Sequence, residues 1–219
     1  MRPHRIKIGL FRADKTIDVI ETLIEPKTDN VAYYNGSNNY EAILLNFEDH
    51  TFAKNVIDKI SLAYFEKNLH NVNDILSRTL IWRSFFEMVK DGKMRADKFV
   101  DIINESLANE VSDAIFETQF DFVHASINTY TPIKLREELN DRMFNYILGL
   151  IPKIGENQKN RLIALKSKLS SFAQSQVAKK KFLQWYQGTL EELKGQDLTV
   201  GQQWSAVAKA FTISDLSLE

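Results

Sequence analysis

Four histidines, at positions 4, 50, 70 and 124, are the first places to look for metal or proton-transfer chemistry. None is followed by Glu, and no two stand three to five residues apart, so the helical His-Glu-x-x-His pair that grips a catalytic metal is absent. His4, His50 and His70 fall in strand, loop and helix-end contexts. His124 sits beside Phe120, Phe122 and Val123, a setting that favours a packed imidazole over a ligand. The eight glycines, at 9, 36, 92, 149, 155, 188, 195 and 201, are too scattered for a phosphate-cradling loop or a Gly-x-Ser-x-Gly elbow. The absence of cysteine removes thiolate nucleophiles, thiolate zinc sites, iron–sulfur clusters and disulfides. Acidic pairs occur at Glu48-Asp49, Glu137-Glu138 and Glu191-Glu192; adjacent carboxylates on a helix diverge by about 100°, so they read as solvated faces and not as acid/base dyads. The run Lys179-Lys180-Lys181 precedes Phe182, Trp185 and Tyr186. Basic residues interleaved with aromatics suit an anion or RNA surface. The simpler reading is a helix that packs Phe182, Leu183, Trp185 and Tyr186 inward and keeps its lysines wet. The expectation is therefore a chain with no catalytic, cofactor-binding or metal-ligating residue of its own.

Charge and hydropathy narrow the class further. Lys and Arg number 28 against 29 Asp and Glu, which argues against a general nucleic-acid binder. No apolar run approaches the roughly 20 residues that span a bilayer. The start, Met1-Arg2-Pro3-His4-Arg5-Ile6-Lys7, lacks the apolar core of a signal peptide. A cytoplasmic protein that uses neither nucleic acid nor membrane as a partner is the expectation.

Elements that would position side chains come in two periods. Arg5–Phe11 and Thr16–Leu23 alternate polar and apolar around a turn at Ala13-Asp14-Lys15, the pattern of a β-hairpin. Pro26 ends the second strand. Val31–Tyr34 is a short β-prone run, Asn35–Asn39 a turn signal, and Glu41–Asn46 a last, more buried strand. From Thr51 the period becomes helical. Helices are expected over Asp58–Leu69, then from Asn73-Asp74 to a stop at Asp91-Gly92, Ala96–Asn109, Val111–Tyr130, Ile133–Ile151, Gln158–Ser175, Gln176–Leu193 and from near Thr199. In the second of these, Ile75, Thr79, Trp82, Phe86 and Val89 form the stripe, widened by Leu76, Leu80, Ile81 and Phe85. The fold class is mainly α: a superhelical array of HEAT or armadillo type after a small antiparallel β-sheet, without a clean sequence repeat.

Two stretches carry a family resemblance. Tyr40-Glu41-Ala42-Ile43-Leu44-Leu45-Asn46-Phe47-Glu48-Asp49-His50-Thr51-Phe52-Ala53-Lys54 resembles the "leucine-Asn-x-x-Asp" passage from β-sandwich to helical domain in zinc aminopeptidases of the aminopeptidase N family. Asp74–Lys93, with Ser77-Arg78, Trp82, Met88 and Gly92, resembles the helix that follows it there. The Arg2–Phe11 strand and Leu198–Trp204 look like further segments of the same family. The resemblance implies residues 1–47 as a partial β-sandwich segment and 48–219 as a helical domain incomplete at its C-terminus. It implies a non-catalytic C-terminal region of an enzyme that removes N-terminal residues from peptides, enclosing the active-site chamber and controlling peptide access. Zinc would belong to that parent. The partners would be the catalytic domain of the same polypeptide and, in the parent, peptide substrates, with self-association of the isolated fragment through exposed apolar surface. The abrupt start and the terminal Leu218-Glu219, a common junction to a purification tag, favour a fragment. Within the matched residues, Asn46 and Asp49 are expected to bond free backbone groups, and Arg78 and Arg83 to pair with acidic neighbours. The alternative is a stand-alone helical-repeat scaffold that binds a protein partner.

Overall fold

The alternation of Arg5–Phe11 becomes β1 (His4–Phe11), paired antiparallel on one side with β2 (Ile17–Ile24) and on the other with β3 (Ala42–Leu45). This computed structural model describes residues 3–25, 40–155 and 157–213. Pro26, the run 31–34 and the turn 35–39 lie outside the described residues. The hairpin closes where Arg12 N–H donates to the Thr16 carbonyl at 3.0 Å, while Asp14 Oδ1 accepts from the Thr16 backbone N–H at 3.0 Å and from its hydroxyl at 2.6 Å. Ile6, Ile8 and Leu10 bury one face of β1 with Ile20, Ile24 and Ile43. On the other face Phe11 meets Phe65 edge-on, ring centroids 5.0 Å apart. Phe47 lies so close over Gly9 that a Cβ there would stand 2.6 Å from the ring. β1 is thus buried on both faces from Ile8 to Phe11.

Beyond β3 the backbone takes left-handed angles at Asn46, Glu48 and Asp49 (φ 53°, 64° and 51°). Asn46 fixes this turn as expected. Its Nδ2 donates to the Thr51 carbonyl at 2.7 Å and to Asp49 Oδ1 at 3.0 Å, and its Oδ1 accepts from Thr51 N–H at 3.1 Å. Asn is among the few residues that enter this backbone region at low cost. An extended segment leads to α1 (Lys59–Asn68), capped by Asp58. The α1 residue Ser61 accepts from Ile43 N–H at 2.8 Å, which ties the helix to β3.

The helix α2 (Ile75–Lys90) is capped by Asp74, whose Oδ2 accepts from Ser77 N–H at 2.7 Å. It stops at Gly92 (φ +67°), with Lys93 N–H returning to the Met88 carbonyl at 2.8 Å. Its buried face is centred on Ile81, Phe85 and Met88, flanked by Trp82 and Val89. The expected stripe is therefore displaced. Trp82 and Val89 are buried, but Ile75 and Thr79 face out, and the Thr79 hydroxyl is used on the Ile75 carbonyl.

Residues 1–94 and 95–219 form two compact units, so the sheet, α1 and α2 belong together. In the second unit follow α3 (Ala96–Ser106), α4 (Asp113–Tyr130), α5 (Ile133–Leu150), α6 (Lys159–Phe172), α7 (Gln176–Tyr186) and α8 (Val200–Ala210). The helix α4 packs on α3, α5 and α6; α8 packs on α6 and α7. Phe99, Phe116, Phe120, Phe144, Phe172 and Phe182 are wholly buried there. Ion pairs tie the layers: Arg142 to Asp101, Lys168 to Asp121, and Arg161 to Asp113 at 2.6 Å, the Arg161 guanidinium lying 4.7 Å over the Phe116 ring. The helix expected over Gln176–Leu193 ends at Tyr186, because Gly188 (φ +71°) lets Thr189 N–H turn back to the Gln184 carbonyl at 2.9 Å. That glycine was the available stop signal.

Candidate functional site

The residues with chemical potential do not converge. His4 bonds the Thr51 hydroxyl at 2.9 Å, His50 pairs with Glu48 at 2.8 Å, and His70 is exposed beside α1. His124, half-buried on α4, meets Phe172 edge-on at 5.4 Å. Burial holds its pKa below the usual imidazole value, with Lys168 and Lys209 adding to the effect and Asp121 opposing it. Among the described residues no three His, Asp or Glu side chains are grouped as a metal would require. This donor set does not fit a zinc site. Glu137 and Glu138 are exposed, and Glu48 is held as a carboxylate by Lys7 and His50. Of the aromatics after the lysine run, Phe182 and Trp185 are buried, with Trp185 Nε1 donating to the Gln196 carbonyl at 2.6 Å, whereas Tyr186 faces solvent. Lys181 is drawn to Glu192 at 3.4 Å.

The feature that does gather charge is a groove of about 310 Å³ in the first unit, between the extended segment after β3 and one side of α2. Phe52, Lys54 and Asn55 form one wall, and Leu80, Arg83 and Glu87 the other. The segment is pinned at both levels. Asn55 Nδ2 donates to the Leu45 carbonyl at 2.9 Å, and Lys54 bridges Asp91 at 2.5 Å and Glu87 at 3.2 Å. Lys90 also reaches Glu87, at 2.8 Å. These pairs keep Asp91, through Lys54, and Glu87, through Lys90 and then Lys54, below the ordinary carboxylate range, and Asp91 raises Lys54. Both carboxylates are therefore committed to internal lysines. Arg83 is exposed and has no acidic partner among the described residues, contrary to the pairing expected of it. Arg78 is buried, and its guanidinium donates to the Val72 and Asn73 carbonyls at 2.6 and 3.0 Å. Phe52 is 93% exposed at the lip. A planar five-donor cation beside a bare aromatic ring can receive a carboxylate or a second protein surface. The family resemblance singled out Arg83, while Phe52 and Lys54 were not foreseen as groove walls, since the segment that carries them has no regular period.

The fold defined by the described residues is a short antiparallel sheet followed by a helical array. Its family follows from comparison: residues 42–209 match the ERAP1-like C-terminal domain, and the chain belongs to that family. It is also similar to an Aminopeptidase N from Streptomyces lividans, at 26% identity over 147 residues. That alignment covers 65% of this chain and 17% of the relative, so the chain spans a small part of the relative's length.

Proposed function

We propose that the chain is the C-terminal region of a zinc-dependent aminopeptidase, with residues 1–47 the tail of a β-sandwich and 48–219 part of the helical domain. The observation that carries this reading is the family match running unbroken from β3 through α8. In this role the region is a cover. It encloses the chamber in which the N-terminal residue of a peptide is removed, limits what enters by size, and keeps bulk water from the reacting bond. The zinc and its ligands lie in another domain of the parent polypeptide. Arg83 and Phe52 are groups left free to meet that domain or a passing peptide. The test has two parts. The coding sequence upstream of Met1 should carry, in frame, His-Glu-x-x-His and a further Glu; a natural start codon at Met1 would refute the reading. The purified 219-residue chain should neither cleave aminoacyl amides nor retain stoichiometric zinc, and one tightly held zinc per chain would overturn the assignment.

A further inference from the structure

The loop between α7 and α8 lines a pocket of about 260 Å³ in the second unit. Its backbone is pinned from three helices. Trp185 Nε1 of α7 donates to the Gln196 carbonyl at 2.6 Å, Lys166 Nζ of α6 to the Asp197 carbonyl at 2.9 Å, and Gln203 Nε2 of α8 to the Leu198 carbonyl at 3.4 Å. The N–H and C=O of one trans peptide point in opposite directions, so the first two bonds turn the Asp197 and Leu198 N–H groups away from their donors. Those two N–H groups and that of Gly195 have no acceptor among the described residues. Two opposite charges line the same pocket, on either side of the left-handed Gly195 (φ +79°). Asp197 is exposed, and its carboxylate has no ion pair among the described residues, since Lys166 is spent on its carbonyl. Lys194 meets Glu191 at 3.5 Å with both side chains at least 76% exposed, a surface contact that contributes little.

We propose that this pocket binds a free α-amino acid, with Asp197 accepting from its ammonium and Lys194, together with the unbonded backbone N–H groups, holding its carboxylate. A simple anion would suit Lys194 and the N–H groups but meet the Asp197 carboxylate, and a simple cation would suit Asp197 but meet Lys194. A zwitterion whose two charges sit on one carbon and its neighbour satisfies both, and each contact is a charge-assisted hydrogen bond. Backbone N–H groups held by a rigid loop receive an anionic oxygen without paying to be ordered. The half-exposed Tyr186 ring and the buried Leu190 supply apolar wall for a side chain. The volume is below the roughly 300–1,000 Å³ of pockets that take drug-sized ligands, which matches a ligand of amino-acid size. The inference rests on this pocket and not on the aminopeptidase reading.

Titration of the ¹⁵N-labelled 219-residue chain with L-leucine at pH 7 tests this. Saturable shifts should appear at the amides of Gly195, Asp197 and Leu198. Leucinamide, which lacks the carboxylate, and N-acetyl-L-leucine, which lacks the ammonium, should each bind at least tenfold more weakly. Asp197→Asn and, independently, Lys194→Gln should each weaken L-leucine at least tenfold with the far-UV spectrum unchanged, whereas Lys134→Gln, an exposed charge at the start of α5, should leave it intact. No saturable shift at these amides with L-leucine would overturn the proposal. So would equal binding of the two blocked analogues, or tighter binding of glucose, which would make the pocket a site for a neutral polyol. Binding indifferent to both pocket variants would overturn the roles of Asp197 and Lys194.

Discussion

Trp82→Ala tests the packing of α2, the helix on which the groove is built. Trp82 is 1% exposed, and its indole meets Phe85 edge-on at 5.8 Å, 87° between planes. A buried aromatic side chain hides on the order of 200 Å², and at about 25 cal/mol per Å² this is about 5 kcal/mol, an upper figure because an unfolded chain already hides some of that area. The lost edge-to-face pair adds about 1 kcal/mol, and partial collapse of the cavity returns some of the total. The expected cost is about 3–5 kcal/mol, the range for deleting core aromatics. Urea unfolding followed by far-UV circular dichroism measures it, with the slope compared between variants to confirm that the same surface is exposed. Ile75→Ala is the matched control. Ile75 lies on the same helix but is 55% exposed, and it should cost less than about 1 kcal/mol. If Trp82→Ala costs under about 1 kcal/mol, or Ile75→Ala costs as much as Trp82→Ala, the buried face of α2 has been misidentified.

Gly9→Ala should destabilise by about 1–3 kcal/mol, since its Cβ would overlap the Phe47 ring and force a shift in a strand buried on both faces; a neutral outcome in the same urea assay would show that the ring yields freely. Replacing Arg161 with Met keeps the stem but strips the charge from a buried site that serves Asp113 and the Phe116 ring, and should lower the thermal midpoint of the second unit, whereas Asp113→Asn should lower it less because Asp113 is half-exposed. His124 titrates below its unfolded value of 6.5, so the folded chain binds fewer protons than the unfolded one; its stabilising contribution is complete above 6.5 and declines as pH falls through that value toward the depressed one. Thermal midpoints recorded from pH 7.5 down to 5 should therefore fall, and fall less in His124→Gln; identical slopes would exclude His124 as the source.

How much was legible follows from how local each signal is. The hairpin was readable because period-two alternation and an Asp-centred turn lie within twenty residues, and the start and stop of α2 because Asp74 and Gly92 act on their own neighbours. The face of α2 was less so. Its apolar residues occupy most of the circumference, so choosing the stripe through Ile75 and Thr79 or the one through Ile81, Phe85 and Met88 depends on contacts outside the helix. The overrun of α7 to Leu193 has the same origin, since an apolar rhythm continues past Gly188 after the backbone has turned.

The groove shows why function was read through packing and not through chemistry. A catalytic residue announces itself by type and spacing, because metals and proton transfers demand particular donors. The walls of this groove are a loop phenylalanine, a lysine spent on Asp91 and Glu87, and an arginine whose partner is missing, none of which is distinctive alone. What marks the chain is the left-handed turn at Asn46–Asp49 that redirects it from sheet to helix, together with the capped helix that follows. Both are answers to the problem of joining a sheet to an array. In this chain the join rests on Asn46, which bonds Thr51 in both directions. The family match begins at residue 42 and so takes in this turn.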